Sequence, residues 1–262
     1  AMWTRETPWT AHPDGYGADW TDEARARLAA VNELRARVQG PFARLRRGVG
    51  GSGTAEEKVR ALYAYLEEIG LVHVTGIPPA LSKEAREATY RLMERAREAQ
   101  IPVTFDPNLR PALWENGETM RNVLNDLANY ADVVLPGIGE CEILAGTTDK
   151  EKAADFYHRK GAALVVIKDG KNGAYVSEKK ENGEVVRDMI PGYPVKKVVD
   201  TVGAGDGFAV GVLSGLLKGL PVTECAKRGN AIGSIQVQHR GDNGGLPTEE
   251  ILQSYMAGNI QK

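Results

Sequence analysis

From Leu71 onward, short apolar runs alternate with longer amphipathic stretches. Leu71–Thr75, Ile101–Phe105, Asp132–Leu135 and Ala163–Ile167 have strand length and are dominated by apolar residues. Between them, Ser82–Ala99, Gly117–Tyr130 and Lys150–Lys160 read as helices, with Ser82 as an N-cap. Strand then helix, repeated, predicts an α/β fold: a parallel sheet with helices on both faces. Gly173–Ser177 and Val185–Ile190 read as antiparallel additions, and the β-branched Val195–Val199 as a further strand. Helices starting at about Asp206 and covering Thr223–Gln238 and Thr248–Ala257 complete the chain, with a polar turn at His239–Gly245 between the last two.

The first 53 residues follow a different pattern. They contain no lysine, and three of the four tryptophans (Trp3, Trp9, Trp20) fall in their first 20 positions. Residues 1–20 read as an irregular arm. Thr21 can cap a helix running to about Gln39, with Leu28, Val31, Leu34 and Val38 as its apolar stripe. Arg44, Arg46 and Arg47 form a basic cluster of the kind usually found on a solvated surface. Gly48–Gly53 fits G-x-G-x-x-G, but an Arg-rich helical segment precedes it where a dinucleotide site needs a strand. It therefore reads as a linker. Thr54 and Glu57 make a capping box for a helix over Ala55–Ile69. The expected organisation is thus 1–53 as arm, helix and linker, and 54–262 as the core.

Composition narrows the function classes. The 262 residues are 42% hydrophobic and 26% charged, and the net charge is −2, so the whole chain has no electrostatic case for nucleic acid. Two cysteines, Cys141 and Cys225, without metal spacing suit a reducing compartment. No run is long enough for a membrane span and the first residues lack a signal-peptide pattern, so the expectation is cytoplasmic, with no membrane partner.

The densest chemistry lies in Asp200–Lys218. Gly203-Ala204-Gly205 permits backbone angles at which successive N–H groups converge, and the helix that follows turns its positive end toward the same point. Such a loop holds an anion, typically a phosphate. Asp206 is out of place beside a phosphate unless it accepts a proton from an attacking hydroxyl; the alternative is a plain helix cap. Glycines at 203, 207, 211 and 215 would cost a helix about 1 kcal/mol each relative to Ala, which points to close packing against a neighbour. In parallel sheets ligands bind beyond the carboxyl ends of the strands. Those ends carry Asp106, Asn108, Arg110, Glu140 and Lys168. Their carboxylates could hold a hydrated Mg²⁺, Arg110 offers a fork for an anion, and Lys168 a point charge for a phosphate. His73 and His239 have no partner nearby in sequence and read as structural.

Asp200-Thr-Val-Gly-Ala-Gly-Asp206-Gly-Phe resembles the C-terminal signature of the ribokinase-like (PfkB-type) carbohydrate kinases. His73-Val-Thr-Gly-Ile-Pro-Pro-Ala-Leu-Ser82, Phe105-Asp-Pro-Asn-Leu-Arg-Pro111, Leu135-Pro-Gly-Ile-Gly-Glu140 and Arg228-Gly-Asn-Ala-Ile-Gly233 are similar to its 2-keto-3-deoxygluconate kinase branch. The resemblance covers about residues 71–257. It implies a Rossmann-like sheet and ATP-dependent phosphorylation of a sugar acid, with Asp206 as general base and the Gly203, Ala204 and Gly205 amides on the transferring phosphoryl group. It implies Arg110, Asp106 and Asn108 on the sugar acid. Lys168, Gly170, Asn230 and Gly233 would line the nucleotide, Glu140 would hold Mg²⁺, and Asp200 would lie beside a K⁺. The family's first sugar-binding strand, its Gly-Gly-x-x-Asn segment and its β lid have no counterpart in residues 1–70, so the core is expected to be incomplete on that side. An open sheet edge there would favour homo-oligomers. Three functions follow: a working kinase, a nucleotide-binding scaffold that has lost catalysis, or a nucleic-acid module using the N-terminal arginines.

Overall fold

The computed structural model describes residues 10, 19–22, 24–33, 36, 70–241 and 245–259. The chain divides into two compact units, Ala1–Ile69 and Gly70–Lys262. In the first, the described residues from Asp22 to Val31 and on to Glu33 are helical, and Thr21 Oγ1 accepts the Ala24 N–H at 3.1 Å, the expected cap. The arginine cluster at 44–47, the glycine linker at 48–53, the capping box at Thr54 and Glu57 and the helix over 55–69 lie outside the described residues. So does the expected boundary at residue 53.

The second unit is built on one six-stranded sheet: β1 (Val72–Thr75), β2 (Val103–Asp106), β3 (Val133–Val134), β4 (Leu164–Lys168), β5 (Ala174–Lys179) and β6 (Val185–Ile190). The strands lie side by side in chain order. β1 to β4 are parallel, and β5 and β6 add antiparallel ribbons. Between the parallel strands run α1 (Pro78–Leu81), α2 (Lys83–Glu98), α3 (Gly117–Leu127), α4 (Ile138–Ala145) and α5 (Lys150–Arg159). Crossovers of one hand between successive neighbours place the crossing helices on a single face. Ser82 caps α2 through the Ala85 N–H, Asn116 caps α3 through Thr119, and Asp149 caps α5 through Glu151 and Lys152.

The opposite face is covered by α6 (Ala204–Leu217) and α7 (Val222–Gln236), with α8 (Glu249–Met256) packed on α7. Val133, Leu135, Leu164, Val166, Ala174 and Val176 meet Phe208, Ala209, Val212 and Cys225 in this layer's core. The glycine stripe serves the close packing expected of it. A Cβ on Gly211 would lie 2.5 Å from the Gly229 nitrogen, and one on Gly215 would lie 2.7 Å from Cys225 Sγ. Only hydrogen atoms fit where these two backbones cross.

Two elements differ from expectation. Val195–Val199 is not a strand. Its Val199 N–H is taken by the Val237 carbonyl at the end of α7, and Val198 and Val199 are exposed, so β-branched residues lacked a strand to pair with. The stretch after β3, for which no helix is expected before Lys150, opens at Gly137 into the short helix α4, which ends at a left-handed Gly146.

α8 is latched by Glu249. Its carboxylate receives both terminal nitrogens of the buried Arg228 at 2.8 and 2.7 Å, Lys218 Nζ at 2.8 Å and the Gln253 amide at 2.8 Å. The Arg228 bonds first, then Lys218 and Gln253, hold its pKa far below the ordinary 4.5. A depressed carboxylate adds stability above the unfolded value, and that stability is lost as the pH falls through the folded one. Acid unfolding monitored by far-UV circular dichroism should therefore show stability declining below about pH 4.5, the ordinary value. Glu249→Gln should flatten that decline; an unchanged slope would contradict the latch.

Candidate active site

Side chains alternate along a strand, so Val103 and Phe105 leave β2 on one face, Thr104 and Asp106 on the other. Thr104 is in register with Val133, whose side chain joins the α6–α7 core. Asp106 therefore ends β2 on the side where α6 begins. Lys168 ends β4, two strands away. Their charged groups meet across β3: Lys168 Nζ lies 2.6 Å from Asp106 Oδ2, with Asp106 1% exposed.

The chain beyond β2 turns sharply. Asn108 adopts φ of +40°, and its N–H donates to Asp106 Oδ1 at 3.1 Å, a local turn that Asn tolerates better than most residues. The turn brings the Asn108 side-chain amide to Asp206 Oδ1, at 3.3 Å. Asp206 lies in the first turn of α6 and is exposed. Gly203, at φ of +76°, makes the left-handed entry that only glycine adopts without strain. A Cβ on Gly205 would lie 3.9 Å from Lys168 Nζ, so the lysine charge sits over the loop. The first-turn amides of α6 have no acceptor four residues back within the helix. Of these, the Ala204 N–H is already directed to the Thr201 carbonyl at 3.3 Å. The loop thus couples a positive helix end, a lysine and an exposed carboxylate that can take a proton.

Glu140 joins two neighbouring loops. Its carboxylate accepts the Gly137 N–H at 2.6 Å and the Leu109 N–H at 2.8 Å. Each oxygen keeps a second lone pair, so the group can still accept a metal-bound water. Among the described residues, no group of three or more His, Cys, Asp or Glu converges as a metal site. A Mg²⁺ would therefore fit here only with waters and phosphate oxygens as most of its ligands. Arg110 is exposed and its guanidinium contacts only the Leu109 carbonyl, at 2.9 Å, among the described residues. That leaves most of its donors for a ligand.

The remaining expected site residues are spread more widely. Gly170 lies at φ of +52° in the exposed turn after β4. Asp200 accepts the Val202 N–H at 3.0 Å and the Gly241 N–H at 3.1 Å, and these backbone donors lower its pKa. Asn230 is buried, with its amide donated to the Ile190 and Pro191 carbonyls, both at 3.1 Å. It ties α7 to the end of β6. Gly233 lets α7 approach the start of α6: a Cβ there would lie 3.3 Å from the Ala204 carbonyl.

Two residues read as structural or left without a role belong beside the site. His73 Nδ1 lies 2.8 Å from Thr104 Oγ1, which itself is 3.3 Å from the Val72 carbonyl. His73 keeps surface open to solvent, while neighbouring protein atoms displace part of the water around it. Desolvation lowers its pKa, the Lys168 charge acts in the same direction, and Asp206 opposes both. Gly76, directly after β1, is where the Pro107 carbonyl passes: a Cβ would lie 1.9 Å from that oxygen. The signal for Gly76 is its position at a strand end, shared with the other site residues.

Among the described residues no helix is long and apolar enough to cross a membrane. Residues 49–249 match the family described as pfkB family carbohydrate kinase. A Bacillus subtilis (strain 168) protein named 2-dehydro-3-deoxygluconokinase is 50% identical over 193 residues, which are 74% of this chain and 58% of the relative. The crystal structure of a PfkB protein from Polaromonas sp. JS666 superposes with a TM-score of 0.64 at 45% identity, covering 73% of this chain and 59% of that one. A fructokinase from Vibrio cholerae O395, in fructose, ADP and calcium ion bound form, gives 0.65 at 26% identity, covering 71% and 60%. The chain spans about three fifths of the length of these relatives. With a matching model over most of its length and this strand-end site, the chain belongs to the pfkB family of carbohydrate kinases.

Proposed function

We propose that this chain carries the nucleotide-binding and phosphoryl-transfer machinery of a sugar-acid kinase, whose acceptor is 2-keto-3-deoxygluconate and whose product is the 6-phosphate. The observation that carries the reading is the Asp206 carboxylate, exposed at the mouth of the glycine loop and held by Asn108. Relatives named 2-dehydro-3-deoxygluconokinase support the choice of acceptor.

In this reading Asp206 takes the proton of the acceptor hydroxyl as its oxygen forms a bond to the γ-phosphorus of ATP. The bond from that phosphorus to the bridging oxygen breaks, and ADP leaves. Because charge is spread over the transferring oxygens, the protein contributes mainly position and fixed positive potential. The Gly205 and Asp206 amides and the Lys168 ammonium supply that potential, and Gly170 leaves room for the nucleotide beside β4. Glu140 would hold Mg²⁺ through water, and the ion would neutralise phosphate oxygens. Asn230 and Gly233 would support the nucleotide side from behind, by fixing α7 against β6 and α6. A potassium ion at Asp200 would share that carboxylate with the Val202 and Gly241 amides.

Arg110 would grip the acceptor's carboxylate. Losing a charge-assisted bidentate contact costs about 1.5–3 kcal/mol, so Arg110→Ala should raise the KM for the sugar acid about 10- to 100-fold. The KM for ATP should change less than about threefold, a difference under 1 kcal/mol. Steady-state kinetics on both substrates, with the phosphorylated product identified by phosphorus NMR, tests the assignment. Equal effects on both substrates would refute the role of Arg110. A product formed equally well from an uncharged sugar would refute the acceptor class.

A further inference from the structure

Asp106 is the most enclosed charged group of the site, and each of its oxygens is already engaged. Oδ2 holds Lys168 at 2.6 Å and Oδ1 holds the Asn108 N–H at 3.1 Å. A carboxylate 1% exposed, with both oxygens turned to protein donors, has little access to a sugar. Each partner, however, leads to the reacting groups. Lys168 sits over Gly205, and Asn108 bonds the Asp206 carboxylate. An unbroken chain therefore runs Lys168–Asp106–Asn108–Asp206 around the glycine loop. We propose that Asp106 is a positioning residue, setting at once the lysine that faces the phosphates and the amide that orients the base.

The physical case rests on the alternatives open to each partner. Without Asp106, the flexible Lys168 side chain would be free to turn to another carboxylate of the site, the Asp206 carboxylate at the glycine loop among them. A Lys168–Asp206 pair would neutralise the proposed base and withdraw the lysine from the nucleotide. Asn108 would lose the bond that favours its left-handed turn, and with it the aim of its amide. One buried carboxylate thus keeps the cation and the base apart while holding both near the loop.

This inference rests on the kinase reading, and its test separates the two. ADP affinity is measured by calorimetry for the full chain and for Asp106→Asn, Lys168→Met and the double variant. Lys168→Met should weaken ADP about tenfold, the scale of one charge-assisted contact. Asp106→Asn should weaken it by a similar factor, and the double variant should be no weaker than Lys168→Met within about twofold, because coupled residues are not additive. Factors that multiply would overturn the proposal. These measurements need no turnover, so they decide it even if no sugar acid is phosphorylated; that failure would instead overturn the kinase reading. In turnover, Asp106→Asn should lower kcat about 10- to 100-fold, with the sugar-acid KM within about threefold. A raised KM at constant kcat would mean direct contact with substrate and would overturn it. Should Asp106→Asn fail to fold, Asn108→Ala tests the second arm: kcat about tenfold lower with ADP affinity unchanged supports it, and an unchanged kcat overturns it.

Discussion

Replacing Asp206 by Asn should reduce phosphoryl transfer by about 100- to 10,000-fold, the usual contribution of a positioned general base. The substitution keeps the shape of the side chain and its place in the first turn of α6. It removes the carboxylate exposed in the first turn after the glycine loop, and with it a group that can accept a proton there. ATP binding should persist and could only gain from the loss of a negative charge beside the phosphates. Rapid-quench measurement of a single turnover, with ATP affinity measured separately, distinguishes chemistry from binding. Turnover like that of the unmodified chain would rule out Asp206 as the base.

Gly76→Ala should have a large effect on both stability and activity, although Gly76 is not itself one of the reacting groups. The new Cβ would lie 1.9 Å from the Pro107 carbonyl oxygen and 2.8 Å from Leu124 Cδ2. The leucine can rotate away, but the carbonyl belongs to backbone. Its peptide is followed at once by Asn108 and Leu109, which hold Asp206 and Glu140. Moving the loop by an ångström or more therefore breaks the hydrogen bond between Gly76 N–H and Asp106 O, or pulls Asn108 off the base. Overpacking of this kind costs about 1–3 kcal/mol, and each kcal/mol lowers Tm by about 2–4 °C in a chain of this size. Thermal unfolding and kcat, measured well below the new Tm, should both fall; a variant with native Tm and kcat would show that this loop has freedom the close contact denies.

Much of this was legible in the sequence, for identifiable reasons. The parallel strands are short and apolar because both faces are covered, and the first three lead into crossovers that each carry an amphipathic helix with its own cap. The strand ends were legible because the charged residues of these runs, such as Asp106 and Lys168, lie where the chain leaves the sheet. Less legible was anything set by pairing across distance. Asp106 and Lys168 are 62 positions apart, and nothing local shows that they neutralise each other. Asn230 reads like a site residue, yet its amide is spent on two carbonyls at the end of β6. Val195–Val199 has strand composition, but strand structure needs a partner. Helix α4 was hidden by Gly137 and Gly139, whose low helix propensity is offset by Glu140 reaching back to the Gly137 amide.

The α6–α7 pair backs the glycine loop with closely packed main chain. Gly211 and Gly229 let the two helices touch at the backbone, and Gly233 lets α7 reach the first turn of α6. The loop is thus supported from below by main chain rather than by side chains that could repack. This rigidity suits a site that works by holding charges in fixed positions.

The most direct test of the central claim is ADP release by the unmodified chain in the presence of ATP and Mg²⁺, with and without 2-keto-3-deoxygluconate. The account predicts release that depends on the acceptor, matches the phosphorylated product mole for mole, and disappears in Asp206→Asn. ATP binding with no acceptor-dependent release, or release that Asp206→Asn leaves intact, would contradict it.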